Sequence, residues 1–279
     1  MKPRSIPIRL AAIATVLAAL ASAAGLLIPT LYRDSVDWVA QARGTDLATL
    51  LVAVPVLLVG LCRTRAGSSA ASLAVVAGVL YLVYNYAIFA FAVAMNPLTA
   101  VYIAILGLGV WSLILGALSD DTLVAGEAIA PRLARRASAG LLIGVGALFG
   151  LLWLGQIATF VMTGTVPPDL ARAGIPTNPV YALDLAFFLP LSTVAGIGLL
   201  RGTRAGAFAV PMLMWVPIMG AGVLGGFLFQ AAAGELVPIA VVALLVALSI
   251  ASAILAGVPI LRRSGQMRLG RLAATEQSA

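Results

Sequence analysis

The sequence predicts an all-α, polytopic membrane helical bundle: eight transmembrane helices, built as two parallel four-helix repeats, with both termini cytoplasmic. Three observations carry this. The chain is 62% hydrophobic and 10% charged, with mean hydropathy +1.10, far outside the soluble globular range. It holds eight apolar stretches, each near the roughly 20 residues with which a helix crosses hydrocarbon while satisfying its own backbone. The halves also echo one another. Asp46-Leu47-Ala48 opens one stretch and Asp184-Leu185-Ala186 opens another, 138 residues later. Each run closes on an arginine 17 residues on, in Arg63-Thr64-Arg65-Ala66-Gly67 and Arg201-Gly202-Thr203-Arg204-Ala205-Gly206.

The spans are expected at roughly 8–29, 46–62, 70–95, 98–117, 139–163, 180–200, 207–231 and 237–261. The first follows Lys2 and Arg4 and imitates a signal peptide. Its apolar run exceeds the roughly 7–15 residues of such a segment, and it begins half of a repeat, so it reads as a mature helix. Before the second span, Ser35 or Asp34 caps a short helix through Val36, Val39 and Ala40 in an outer loop, with Trp38 beside them. The third span enters after Ser68 and carries Tyr81, Tyr84 and Asn85. The first repeat thus covers 1–117. The connector 118–138 holds Asp120, Asp121 and Glu127, then Arg132, Arg135 and Arg136, and reads as a solvated cytoplasmic linker.

The second repeat covers 139–261. Its fifth span carries the small-residue pairs Gly140/Gly144 and Gly146/Gly150, and its seventh carries Gly222/Gly226. Such pairs permit close helix approach within the monomer or in an oligomer. In the following outer loop, the run from Pro167-Pro168 to Gly174 has proline at the start and glycine at the end of a helical turn. The sixth helix starts at Asn178-Pro179, with an amide cap and a first-turn proline. Pro55, Pro190, Pro211 and Pro217 lie inside spans and should kink them. From Arg262 the segment 262–279 is a basic cytoplasmic tail beside the headgroups.

Orientation follows from the basic residues. With the N-terminus cytoplasmic, the inner segments hold fourteen of the 17 lysines and arginines, and the outer ones only Arg33, Arg43 and Arg172. That asymmetry is what the positive-inside rule requires. The high pI, about 10.3, reflects this topology. Basic residues scattered over short loops lack the clustered patch of a nucleic-acid binder.

Absences narrow the chemistry. The chain has no histidine and a single cysteine, Cys62. Histidine ligands, histidine proton relays, an intramolecular disulfide and a thiolate cluster are therefore excluded. The only lysine is Lys2, so no Schiff base forms within the bundle. There is no phosphate loop and no Gly-x-Ser-x-Gly elbow. No cofactor or metal is expected, and catalysis would rest on carboxylates, amides and tyrosines alone.

What remains is a polar layer. A helix rises about 1.5 Å per residue, so 17 residues reach about 25 Å across the membrane. Asp46 and Asp184 each lie 17 residues from an inner arginine. Asn85 lies 17 beyond Ser68, and Gln156 lies 18 beyond Ser138. The four converge on one level beneath the outer face. Tyr81 and Tyr84 flank Asn85, Trp153 sits three before Gln156, and Tyr181 three before Asp184. The predicted ligand-binding set is Asp184, Tyr181, Asn85, Tyr84, Gln156 and Asp46. Each member also has a plainer reading. Asp46 caps the N-terminus of its helix after Gly44-Thr45; Asp184 pairs with Arg33, Arg43 or Arg172; Asn85 and Gln156 are interhelical glue; the aromatics form an interfacial belt.

Asp46-Leu47-Ala48, Tyr84-Asn85-Tyr86-Ala87, Asn96-Pro97-Leu98 with Val101-Tyr102, and Asn178-Pro179-Val180-Tyr181 leading to Leu183-Asp184-Leu185 resemble a group of uncharacterised bacterial multi-pass membrane proteins. That resemblance implies a bacterial inner-membrane location and brings no activity or cofactor with it. The first functional expectation is an outward-facing intramembrane pocket that binds a small solute or a proton, and a carrier that transports it. A sensor module and a membrane enzyme acting on a lipid-like substrate are the alternatives. Beyond the lipid bilayer and an unidentified small molecule or ion, no partner is implied, and no nucleic acid.

Overall fold

A computed structural model describes residues 5–65, 68–117 and 132–276 of the chain, and those residues contain helices and no strand. Lys2, Arg4, Asp120, Asp121 and Glu127 lie outside the described residues. The helices are α1 (Ser5–Leu27), α2 (Val36–Ala48), α3 (Val54–Arg65), α4 (Ser69–Ala92), α5 (Thr99–Ala117), α6 (Arg132–Thr163), α7 (Pro168–Ala173), α8 (Pro179–Leu183), α9 (Leu189–Arg201), α10 (Ala209–Ala232) and α11 (Ile239–Glu276). Five-residue π-helical turns, Thr49–Ala53 and Asp184–Phe188, join α2 to α3 and α8 to α9. A 3-10 turn, Arg204–Phe208, leads into α10. Together these make eight helices long and apolar enough to cross a membrane, and the chain is a multi-pass membrane protein.

Three boundaries differ from expectation. The short outer helix before the second span is no separate element. Ser35 accepts the Trp38 N–H and caps a helix that continues through α2 and α3 to Arg65. Asp46 therefore lies ten residues inside a helix, so the reading of Asp46 as an N-terminal cap is overturned. The basic end of the connector, Arg132–Ser138, is the first part of α6 rather than linker. The tail after Arg262 continues α11.

The two π turns have a covalent cause. Val54 N–H bonds back five residues to the Thr49 carbonyl, and Leu189 N–H to the Asp184 carbonyl. In each case the next residue is a proline, Pro55 or Pro190. Proline lacks an N–H and its ring clashes with the carbonyl four residues back, so the ladder widens there. Asp184 is the first residue of its π turn.

Packing follows residue size. In α1 the stripe Ala11, Ala14, Ala18 and Ala21 is buried and seats the helix against α5 and α2. α4 packs on α5 and α3, so the four spans of the first half close a ring. In the second half α6 packs on α9, α9 on the 3-10 turn, and α10 on α11, while α9 and α10, and likewise α6 and α11, touch only sparingly. The halves meet most extensively where α2 crosses α10. There Gly44 lies against Gly225 and Gly226, and a Cβ on Gly44 would strike the Gly226 amide. Gly146 similarly accommodates Thr193, whereas Gly140 and Gly144 have nothing within 4 Å of where a Cβ would stand.

At the end away from the arginine-rich segments, the loops are knitted together. Ser35 Oγ donates to the Ala173 carbonyl at 3.0 Å, Trp38 Nε1 to the Ala92 carbonyl at 3.0 Å, and Ala94 N–H to Asp34 at 2.9 Å. Arg172 reaches Asp37 at 3.7 Å. Gly174, in the left-handed region at φ 69°, ends α7 as its sequence foretold.

Candidate functional site

Between the halves lies a cavity of about 470 Å³. α2 contributes Trp38, Gln41 and Thr45; α4, Tyr84 and Asn85; α6, Phe149 and Trp153; the α8–α9 bend, Asp184; α10, Trp215 and Met219; α11, Leu245 and Ser249. Asn178 and Val93 carry it to the loop end.

Among the described lining residues, Asp184 is the only one with an acidic or basic side chain. The carboxylate is 7% exposed and accepts the Trp153 indole N–H at 2.8 Å. The Tyr84 hydroxyl also faces it. No arginine pairs with it among the described residues; the ion pair there, Arg172–Asp37, joins α7 to the start of α2. The salt-bridge reading of Asp184 therefore fails.

Aromatic rings flank the carboxylate on both sides. Trp153 stacks on Tyr181 at 4.7 Å and meets Phe149 at 6.1 Å. Opposite, Tyr84 meets Phe188 edge-on at 4.8 Å and Trp215 at 5.7 Å, and Phe188 stacks on Trp215 at 5.0 Å. Phe188 and Tyr181 stand four after and three before Asp184, so the helix itself sets them near it.

Asn85 donates to the Tyr81 carbonyl at 3.0 Å and to Met219 Sδ at 3.4 Å. Two polar atoms of lining residues, Trp215 Nε1 and Ser249 Oγ, are buried without a hydrogen-bond partner.

The predicted set divides. Asp184, Tyr84 and Asn85 come together on the cavity wall. Tyr181 stands behind Trp153, its hydroxyl donating to Asp169 at 2.9 Å, which ties α7 to the start of α8. Gln156 is half-buried on α6, outside the wall. Asp46 is 2% exposed and lies in the first half, accepting the Tyr32 hydroxyl at 2.6 Å. Burial, and next the Asp46 charge, push the Tyr32 phenol far above its usual range. It stays protonated, a fixed donor. Gly25 backs this pair: a Cβ there would collide with both Asp46 and Tyr32.

Sequence reasoning missed Gln41, Thr45, Trp215 and Ser249. Trp215 had a signal, since an indole deep within a span is out of place for an interfacial belt. Gln41 and Thr45 fell in a stretch read as loop and start of span.

Comparison with protein-family models, with curated proteins and with solved structures finds no match. The resemblance drawn from sequence assigns the chain to no family.

Proposed function

We propose that this membrane protein binds a small molecule in the outward-facing intramembrane cavity at Asp184 and carries it or a coupled proton across the bilayer. The observation behind this is Asp184 itself. A carboxylate on a low-dielectric wall, hydrogen-bonded by an indole but without a basic partner, is a costly arrangement that stability does not explain. The volume suits a small organic molecule.

A carrier reading draws support from the two halves. Four spans in each half leave both in the same orientation, so their relation is a parallel repeat about the membrane normal. Each half has a π turn ending two residues before a proline in its second span. These landmarks lie 135 residues apart (Pro55 to Pro190) and the Asp-Leu-Ala motifs 138, an offset of about one helical turn. Both termini are then cytoplasmic. The first half closes around Asp46 and Tyr32, while the second opens at α6 and α11 and leaves Asp184 facing a cavity. That asymmetry gives the two aspartates different work.

The test is a thermal-shift ligand screen on purified protein, followed by uptake of each hit into proteoliposomes. Asp184→Asn is expected to fold with a midpoint near wild type and to lose binding and uptake. A variant that simply unfolds, with Trp153→Phe behaving as wild type towards every ligand, would sink the reading.

A further inference from the structure

We infer that the ligand is a lipophilic organic cation, and that it enters sideways from the bilayer between α6 and α11. This rests on the binding role proposed for Asp184 and adds the class of ligand and its route.

Charge comes first. The cavity holds one carboxylate and no basic side chain, so its electrostatic complement is a single positive charge. The surroundings match. Trp153, Tyr84 and Trp215, all on the wall, belong to the two ring clusters either side of Asp184. Rings with electron-rich faces around one anion recognise an alkyl- or arylammonium, whose diffuse charge sheds water readily. An inorganic cation is poorly served, since it needs several oxygen ligands, and no metal-binding group of acidic side chains exists among the described residues. Much of the wall is apolar, including Phe149, Leu152, Met219, Phe227, Leu245 and Leu248, and would take the hydrocarbon part.

The route follows from how the second half fails to close. α6 and α11 flank the cavity yet hardly touch. Of the wall residues on these two helices, Leu152 and Val241 are themselves exposed, so the rim of the gap is apolar there and suited to acyl chains. The loop end is the tighter route, held by the Ser35–Ala173 and Trp38–Ala92 hydrogen bonds and the Arg172–Asp37 pair.

The experiment uses the full chain in lipid nanodiscs, with Cys62→Ser, and tetraphenylphosphonium as probe. Equilibrium dialysis should show saturable binding that Asp184→Asn weakens by at least about tenfold, since the mutation removes the only charge facing the cation. Leu245→Trp leaves the charge in place and fills the wall, so it should abolish binding even if Asp184→Asn proves unstable. Tetramethylammonium, which stays in water, should bind negligibly. Joining Ser35→Cys to Ala173→Cys with a short bifunctional thiol reagent should leave tetraphenylphosphonium binding intact. Loss of binding on that cross-link would overturn lateral entry. Equal binding of neutral triphenylphosphine oxide, indifferent to Asp184→Asn, would overturn the cationic class. A neutral hydrogen-bonding ligand whose binding needs Asp184, with none for tetraphenylphosphonium, would overturn this inference and leave the binding role standing.

Discussion

Asp46 and Asp184 are the same residue type, in the same three-residue motif, and their surroundings separate them. Asp46 is shut in by the Tyr32 hydroxyl and the bare face of Gly25, and is 2% exposed. Asp184 has the Trp153 indole as donor, the Tyr84 hydroxyl facing it, and open volume. The paired motifs were legible in the sequence and the difference between them was not, because it depends on Tyr32 folding back 14 residues and on Trp153 arriving from another helix. Tyr32→Phe should therefore cost about 1–3 kcal/mol, the penalty for leaving a buried carboxylate short of a donor. The pH dependence has a definite sign. The folded phenol is held above its unfolded value near 10, so its contribution is complete below about pH 10 and is lost as pH rises, when the unfolded chain ionises first. Thermal melts of wild type and Tyr32→Phe between pH 8 and 11 should show the wild type losing midpoint the more steeply; parallel curves would show that this phenol is not held protonated.

At the scale of elements, hydropathy was a sufficient guide to eight spans, since length and apolarity alone decide what can cross hydrocarbon. It failed at helix ends. Val36–Gly44 includes Asp37, Gln41 and Arg43 and reads as a short capped helix within an outer loop, yet it runs on into the second span, where Gly44 lets α2 cross α10 backbone to backbone. Polar residues there face the loop end and the cavity instead of lipid. Gly222 and Gly226 were legible as a packing pair, but Gly44, which meets Gly225 and Gly226, was not, since one glycine in one helix forms no pattern. Gly225→Ala tests the crossing: its Cβ would stand 2.6 Å from the Gly44 carbonyl oxygen. Overpacking of that kind costs about 1–3 kcal/mol and should lower the melting midpoint. Gly140→Ala, which meets nothing within 4 Å, should leave the midpoint unchanged or raise it. Equal effects would mean that the α2–α10 contact does not hold the halves together.

For the whole molecule, the decisive quantity is which way the bundle faces, because an outward Asp184 cavity and an inward one would serve different traffic. The arginine asymmetry is strong since a translocated arginine must cross the hydrocarbon during insertion, and eight crossings place both ends of the chain on one side. The fold supplies the right places to ask. Ser138 sits 2% exposed on α6 and would react poorly, whereas Ala137 at the arginine-rich end and Thr165 at the loop end are both exposed. Cys62, itself exposed, is first replaced by serine. In intact cells, Thr165→Cys should react with a membrane-impermeant maleimide, and Ala137→Cys should react only after the membrane is opened. Those two results together put the Asn178 and Trp38 end of the cavity outside. The reverse pattern would place it facing the cytoplasm, and the protein would then draw its ligand from the inner leaflet.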